Sequence, residues 1–493
     1  PEARARMLFE IARGYHNLGL DRTALAVGSR ALTDFESLET PLPEHTAALR
    51  LLAELRARAG DTDAALSFVD RAIERERASL PGSASRVAGL LVERGTVLRV
   101  ATRHEEAEAA FAEAATLVEP GSDPGGLETQ IRFGLALARH DQGDFDGAET
   151  HFREAMALLD VGEIDQATPA GPLVAISRYR LGQYLMIRDE FEEAERLLLE
   201  ALAIQDRILD PGHADRVATT LTLATLWNNT FRFAEVVELL EGVLAAQAET
   251  LGPDHVERAQ TRYILGSALT AIGRPAEAVG HLAETVSRYQ EAYGALHPLL
   301  VNPALSLSRA RQDAGDLDGA TDAADLSLRA SRASFGEDHL FTVQAETQLG
   351  LVALARADDE AAERLLAAAV GRARSLGAAT HRIGLRAEIG LARLHNGTGR
   401  HAEAVTLLEP VVDALSALSE ERSPLAAEAA YELGVAYLGT GAAAAAGQHF
   451  AAALRAREAI LPPEDPRVVA ARTGLERARA AEGSDGGEPR LSR

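Results

Sequence analysis

Histidine recurs at a fixed spacing in the second half of the chain, and such a series could in principle form metal-binding sites. The positions lie 42 residues apart: His213, His255, His297, His339 and His381. Zinc needs imidazole nitrogens about 2 Å from the metal, whereas equivalent positions of neighbouring helical hairpins lie about 10 Å apart. Adjacent members therefore cannot share an ion, and no metal site is predicted. We interpret them as residues that hydrogen-bond loop backbone where a helix begins.

Three further motifs resemble catalytic or cofactor-binding sites. Residues 397–402 (GTGRHA) fit a loose dinucleotide pattern, which has a mechanism only between a strand and a helix; here they are predicted to form a hairpin turn. His104-Glu105 begins like a zinc-protease helix, but Glu108 stands where the second histidine would be. Acidic pairs such as Glu192-Glu193 suit the start of a helix, where negative charge is favourable. No catalytic residue is predicted, and we expect the chain not to be an enzyme.

Composition removes several classes of chemistry. The 50 basic residues are all arginine and there is no cysteine. A Walker-type phosphate loop, a Schiff-base lysine, a thiol nucleophile and a cysteine zinc site are therefore excluded. The net charge of -24 argues against binding to nucleic acid or anionic membranes. No stretch is apolar enough to span a membrane and no signal peptide is recognised, so we expect a cytoplasmic location, with no cofactor.

An internal repeat organises almost the whole chain. Small residues recur as anchors, with successive spacings of 41, 42, 41 and 46 residues and then of 42. The anchors are Ala12, Ala53, Gly95, Ala136, Gly182, Ala224, Gly266, Ser308, Gly350, Ala392 and Gly434. Alanine stands twelve residues after ten of the eleven anchors, and glycine recurs seven residues after many of them. Such a period predicts stacked copies of one supersecondary unit.

Each recurrent residue has a structural reason. The anchor must be small because a second helix crosses there at about 8–10 Å. The alanine is predicted to lie on the facing helix, where it lets the two backbones meet. The glycine is predicted to end the first helix in the left-handed conformation. Between these points apolar residues follow a helical period, as in Ala194, Leu197, Leu198, Ala201 and Leu202.

These residues resemble the tetratricopeptide repeat. The pattern is clearest at Leu433, Gly434, Tyr437, Gly441, Ala446, Phe450 and Ala453. The 42-residue period and the segments at 251–255 (LGPDH) and 335–339 (FGEDH) resemble the kinesin-light-chain type, which is widespread in bacterial signalling proteins. The resemblance implies an all-α, right-handed α-solenoid of about eleven hairpins plus a C-terminal capping helix.

Irregular segments suggest how the repeats are grouped. Residues 120–126 break the helical pattern and residues 160–172 accommodate the spacing of 46. We predict an N-terminal block of four repeats over 1–160 and a C-terminal block of seven repeats with the capping helix over 161–481. Residues 482–493 are predicted to be a disordered tail.

The resemblance also implies where a ligand binds. First helices of such arrays line the concave face, at positions six and three residues before the anchor and one, four and five after it. In the middle repeats these are Tyr179, Gln183, Asn228, Asn229, Gln260, Tyr263, Ser267, Thr270, Asn302, Arg309 and Gln312. Amides and hydroxyls suit hydrogen bonding to an extended peptide. The alternative is a solvated surface that binds nothing in particular.

The N-terminal repeats carry arginine at the same positions. They are Arg6, Arg13, Arg50, Arg58 and Arg99. Pairing of arginine with carboxylate predicts an acidic peptide or tail as the ligand there. The carboxylate clamp of chaperone-binding repeats is not predicted, because its asparagine after the anchor is replaced by residues such as Arg13 and Glu54.

Three functions are consistent with these features. The first is a scaffold that binds a peptide or protein partner in its concave groove. The second is the sensory or regulatory arm of a larger bacterial signalling protein, a serine/threonine kinase or a nucleotide-switch regulator, which the start at Pro1 without an initiator methionine favours. The third is self-assembly through exposed repeat faces. The partner's identity and the oligomeric state are left open by the sequence.

Overall fold

A computed structural model gives the fold of most of the chain. It describes residues 2–17, 21–38, 42–59, 61–78, 83–119, 126–159, 171–250, 257–377, 382–417 and 423–485. These residues form 23 α-helices and a short 3-10 turn, without a β-strand among them. None of the described helices has the length and hydropathy needed to cross a membrane.

The helices pair into hairpins along the chain. The first ten are α1 Glu2–Asn17, α2 Asp21–Glu36, α3 Pro43–Arg58, α4 Thr62–Ala78, α5 Ala84–Val100, α6 His104–Thr116, α7 Leu127–Asp141, α8 Phe145–Leu159, α9 Gly171–Ile187 and α10 Phe191–Ile208. The others are α11 Ala214–Asn229, α12 Phe233–Thr250, α13 Glu257–Ala271, α14 Pro275–Tyr293, α15 Val301–Asp313, α16 Leu317–Phe335, α17 Leu340–Ala355, α18 Asp359–Ser375, α19 Arg382–Gly397, α20 His401–Ala417, α21 Pro424–Gly439, α22 Ala443–Glu458 and α23 Pro466–Asp485.

Two compact units divide these helices between them. The N-terminal unit, Pro1–Asp210, contains the five hairpins α1 to α10. The C-terminal unit, Pro211–Arg493, contains six hairpins and the final helix α23. The predicted all-α array of eleven hairpins with a capping helix is therefore confirmed.

The predicted grouping of the repeats into blocks of four and seven can be compared with the two compact units. The division between the two compact units falls after Asp210, one repeat later than the predicted division at residue 160. Residues 120–125 and 160–170, which suggested that grouping, lie outside the described residues. The grouping into four and seven repeats stays a prediction. The final helix continues to Asp485, into the segment predicted as a tail, and residues 486–493 are likewise outside the described part.

Within each unit the first helices of successive hairpins form a common layer. Each helix contacts the next helix along the chain, as expected for antiparallel hairpins in a stack. First helices also contact one another, as α13 does α15, α15 does α17 and α19 does α21. Successive second helices lie farther apart. In the C-terminal unit, where contacts between successive first helices run from α11 to α23, the first helices are therefore on the more crowded, inner side.

Small anchors allow the two helices of each hairpin to approach closely. All eleven residues at the recurrent alanine position are fully buried, including Val236. The Ser308 hydroxyl donates to the carbonyl oxygen of Ala320, 2.7 Å away, so the two backbones do meet there. A Cβ on Gly266 would lie 2.6 Å from Cγ of Leu282. This large residue stands sixteen positions after the anchor, where the sequence analysis named Leu198 and Phe450 without assigning them a contact with the anchor.

The turn between the two helices adopts one backbone conformation in the nine hairpins whose turn residue the structure describes. Gly143, Gly273, Gly315, Gly399 and Gly441 have positive φ angles of 77–85°. The four non-glycine residues with positive φ occupy the same position of their repeats: Thr102, Asp189, Phe231 and Ala357. The left-handed conformation is thus required by the hairpin, even where the sequence offers no glycine.

Histidines cap first helices, as predicted. The Nδ1 atoms of His213, His297 and His339 accept hydrogen bonds from the backbone N–H two residues later, at 3.2, 3.3 and 3.2 Å. His297 stacks on Tyr293 and His339 on Phe335, with ring centroids 5.0 and 4.6 Å apart. His255 and His381 lie outside the described residues.

Replacing the anchor Gly350 by alanine tests the close approach. Its Cβ would lie 2.7 Å from Cγ of Leu366, and overpacking of this kind costs about 1–3 kcal/mol. This outweighs the gain in helix propensity of about 1 kcal/mol, so we expect Gly350→Ala to lower the unfolding free energy by about 1 kcal/mol in urea denaturation. Gly371 in α18 has no atom within 4 Å of its would-be Cβ. Gly371→Ala should therefore raise stability, and equal effects of the two substitutions would contradict the account.

Candidate functional site

A cavity of about 460 Å³ opens on the inner face of the C-terminal unit. Its walls come from the first helices α13, α15, α17, α19 and α21, together with the end of α22 and the start of α23. The α13–α14 turn meets the α22–α23 segment, because a Cβ on Gly273 would lie 2.6 Å from Oδ2 of Asp465. The last helix therefore closes one side of the cavity.

Four of the eleven predicted groove residues line this cavity: Ser267, Thr270, Arg309 and Gln312. The Ser267 hydroxyl lies 3.3 Å from that of Ser306 on the next first helix. Gln312 accepts a hydrogen bond from Nε2 of the buried Gln348, 2.7 Å away. Thr270 bonds within its own helix, to the carbonyl oxygen of Gly266. The cavity thus has a hydrogen-bonded polar wall.

Tyr263 lies beside this wall on α13. Burial raises the pKa of its phenol above the ordinary value, although Arg309 and a hydrogen bond with Ser306 oppose the rise. The ring also packs against the hydrophobic core of the unit. Tyr263 therefore contributes to packing as well as to the polar face.

The remaining predicted groove residues do not line the cavity. Gln260 and Asn302 are exposed at the same register position of neighbouring repeats. Asn229 is exposed, and Asn228 is half-buried with an Oδ1 atom that has no hydrogen-bond partner in the described part of the chain. Tyr179 and Gln183 belong to the N-terminal unit and bond to each other at 2.7 Å. Binding by these residues stays a prediction.

Charged residues of the later repeats complete the cavity, and the sequence analysis did not name them. Arg386, Arg393 and Glu428 stand at the register positions used for the middle repeats, so the same rule applied to the last repeats would have found them. Asp313 stands five residues after Ser308, at such a position in the repeat of Arg309 itself. Arg457 and Arg467 come from α22 and α23. Because the register rule applies to first helices only, it does not predict Arg457 and Arg467.

A buried ion-pair network forms one wall. Nη2 of Arg393 lies 2.7 Å from Oε1 of Glu428, and its Nε lies 2.8 Å from Oε1 of Glu432. Asn396 also donates to Oε2 of Glu432, at 3.0 Å. Burial alone would raise the pKa of the Glu428 carboxyl, but Arg393, Arg386, Arg457 and Arg309 together hold it below its ordinary value.

A second charged group lies where α23 begins. Nη2 of Arg467 lies 2.9 Å from Oδ2 of Asp465. Nη1 of Arg457 donates to the carbonyl oxygen of Arg467 at 2.6 Å, and its guanidinium lies over the ring of Tyr431 at 4.4 Å. Arg457 is only 8% exposed. These contacts fix α23 against the preceding hairpin.

The predicted arginine patch of the N-terminal unit is paired with carboxylates. The pairs are Arg6–Glu44, Arg13–Glu10, Arg50–Glu93 and Arg99–Asp141, with N–O distances of 3.2, 2.9, 2.8 and 3.1 Å. Arg13 and Arg50 line a separate cavity of about 670 Å³. The side chain of Arg58 is outside the described residues. An acidic ligand would have to displace these carboxylates, and its binding stays a prediction.

No metal site is found in the part of the chain that the structure describes, where no three histidine, aspartate or glutamate side chains come together in a suitable group. The C-terminal cavity offers hydroxyl, amide and guanidinium groups. These groups can bind a polar or charged ligand through hydrogen bonds and ion pairs.

Stacked helical hairpins with an inner face of first helices define the chain as an α-solenoid repeat protein. Models of the tetratricopeptide repeat match residues 4–83, 86–160, 174–215, 217–291 and 389–459. These matches cover well over half of the chain, which belongs to the tetratricopeptide repeat family. Residues 292–388 fall between these matches, and the described residues 301–375 among them form the same kind of hairpin, α15 to α18. No curated protein sequence matches the chain.

Several solved structures are similar to parts of the chain. Kinesin-light-chain TPR-like repeats of Podosopora anserina are 27% identical over 43% of this chain and 98% of that one, with a TM-score of 0.36. A Rap protein complexed with competence and sporulation factor is 11% identical over 72% of this chain and 98% of that one, with a TM-score of 0.46. Yeast Tom70 is 13% identical over 98% of this chain and 97% of that one, with a TM-score of 0.39.

Removing Arg393 tests the buried network. Arg393→Ala leaves the carboxylates of Glu428 and Glu432 without their cation, and such a loss costs about 2 kcal/mol at a partly buried site. We expect the unfolding free energy to fall by that amount in urea denaturation. Arg400→Ala is the matched control, because Arg400 pairs with the exposed Glu363 at 2.8 Å and exposed pairs contribute less than about 1 kcal/mol. Equal losses from the two variants would show that the network is not buried in solution.

Proposed function

We propose that the chain is a protein–protein interaction scaffold and that the inner face of its C-terminal unit binds a peptide or protein partner. The observation that carries this proposal is the cavity, where polar side chains of four first helices, α13, α15, α19 and α21, converge. Its position on the inner face and its mixed hydroxyl, amide and charged lining suit an extended peptide, whose backbone needs both donors and acceptors.

Two exposed amides extend this face beyond the cavity. Gln260 and Asn302 stand at the same register position on α13 and α15. Side chains that repeat along a stack of helices can bond successive groups of an extended ligand. The same face would serve a larger signalling protein, the alternative that the sequence leaves open, because it belongs to the repeats themselves.

Panning a random peptide library against the immobilised full chain tests the proposal. We expect enriched peptides to bind the Gln260→Ala/Asn302→Ala variant about tenfold more weakly, because two side-chain hydrogen bonds are lost at about 0.5–1.5 kcal/mol each. Both residues are exposed, so the fold should be unaffected.

The matched control is Asp322→Ala/Arg329→Ala, which changes two exposed residues of the second helix α16. This variant should bind the same peptides as tightly as the native chain. Failure to enrich any peptide, or equal weakening by both double substitutions, would count against the inner face as the binding surface.

A further inference from the structure

The cavity of the C-terminal unit contains more arginine than its carboxylates neutralise. Five arginines line it, against the two acidic lining residues Asp313 and Glu428. Arg393 is paired with Glu428 and Glu432, and Arg467 with Asp465. This surplus of positive charge lies in a chain whose net charge is -24. The lining of the cavity is therefore positively charged, whereas the chain as a whole is negatively charged.

Arg309 and Arg386 are the two lining arginines with neither an ion pair nor a hydrogen bond among the described residues, and the Nε atom of each is buried without a hydrogen-bond partner. Arg457 also lacks an ion pair, but it donates to the carbonyl oxygen of Arg467. Other half-buried arginines of the C-terminal unit, such as Arg372 and Arg393, do pair with carboxylates, Arg372 with Glu346 at 3.2 Å. A buried charge without a partner is costly.

The two guanidinium groups also repel each other. Burial first, and then the charge of Arg386, lowers the pKa of the Arg309 guanidinium to about 9, although Tyr263, Glu428 and Asp313 oppose this shift. Because this pKa lies above neutral pH, Arg309 remains charged at pH 7 and the repulsion is present in the folded chain. Asp313 lies in the same wall but forms no ion pair with either of them in the described structure.

We propose that Arg309 and Arg386 bind an oxyanion, a carboxylate or phosphate group, inside this cavity. The planar guanidinium group presents paired N–H donors that match the oxygens of either group. Gln312 and Ser306 in the same wall supply further polar contacts. The volume of about 460 Å³ is within the range of pockets that hold small organic ligands. This proposal goes beyond the binding of a peptide backbone and stands whether or not that function holds.

The oxyanion can come from two sources. A small organic acid or phosphate ester could occupy the cavity by itself. Alternatively, the carboxylate of a peptide end or side chain could enter it. Both sources present the same chemistry to Arg309 and Arg386, so the experiment below separates them by the probe used.

Thermal unfolding of the full chain with and without Arg386 tests the inference. In chloride buffer at pH 7 and low ionic strength, Arg386→Met should raise the melting temperature by about 2 °C or more, because it keeps the aliphatic stem and removes the repulsion. A structural arginine would behave in the opposite way. Arg455 on α22 is exposed and has no ion pair among the described residues. Arg455→Met removes the same charge and should leave the melting temperature nearly unchanged.

Adding anions then provides the second readout. Sodium acetate and sodium phosphate, each matched in ionic strength with chloride, should raise the melting temperature of the native chain and of Arg455→Met by at least about 2 °C more than that of Arg386→Met. Comparing variants removes the general stabilisation that phosphate gives to any protein. Arg386→Lys keeps the charge but loses the planar fork, and its response should be intermediate.

A tripeptide with a free C-terminus, compared with its amide, covers the second source. A response to acetate or phosphate identifies a free small anion as sufficient, and a response to the free tripeptide alone identifies a chain end. Two results would overturn the inference: a lower melting temperature for Arg386→Met than for the native chain in chloride, or a response to every probe that is the same in both. If the native chain responds to anions but enriches no peptide in the panning experiment, the result counts against the proposed function and not against this inference.

Discussion

The close crossing of two helices at each anchor is the constraint on which the rest of the structure depends. Most anchors are followed, sixteen positions later, by a large apolar residue. Glycine anchors face leucine or phenylalanine, as Gly350 faces Leu366, whereas Ser308 stands sixteen residues before Ala324. Since the anchor side chain points into its own hairpin, the flanking positions of the first helix are left to face the inner side. This constraint places Arg309 and Arg393, each one residue after an anchor, on the cavity wall.

Function in this chain depends on how charge is distributed over an almost regular scaffold. Most arginines are neutralised by a nearby carboxylate, often across neighbouring repeats, as Arg400 is by Glu363. Pairs of this kind align the repeats but leave little charge for a ligand. The inner face of the C-terminal unit differs because Arg309 and Arg386 are held without such partners among the described residues. The fold is nearly the same in every repeat, but the pairing of arginines with carboxylates is not. A binding region is therefore distinguished from the rest of the solenoid by its charge and not by its fold.

Sequence periodicity was sufficient to predict the hairpins and the histidine caps, whereas the register of the inner face came from the resemblance to the tetratricopeptide repeat. It could not predict that Phe231 and Ala357 adopt positive φ, because the hairpin imposes that conformation against the residue's own preference. Nor could it show which arginines are already paired: Arg50 looked available in sequence, but Glu93 from the next repeat neutralises it. Arg457 lines the cavity because α22 and α23 close one side of it. That closure is a contact between distant repeats, and the sequence of a single repeat does not predict it.

A crystal structure of the full chain grown in sodium phosphate would test the central claim most directly. The account predicts a phosphate ion in the cavity of the C-terminal unit, with oxygens about 2.7–2.9 Å from guanidinium nitrogens of both Arg309 and Arg386. The contrary result would be a cavity without an anion, in which these two arginines form ion pairs with Asp313 and Glu428. The charge of the cavity would then be balanced by the chain itself.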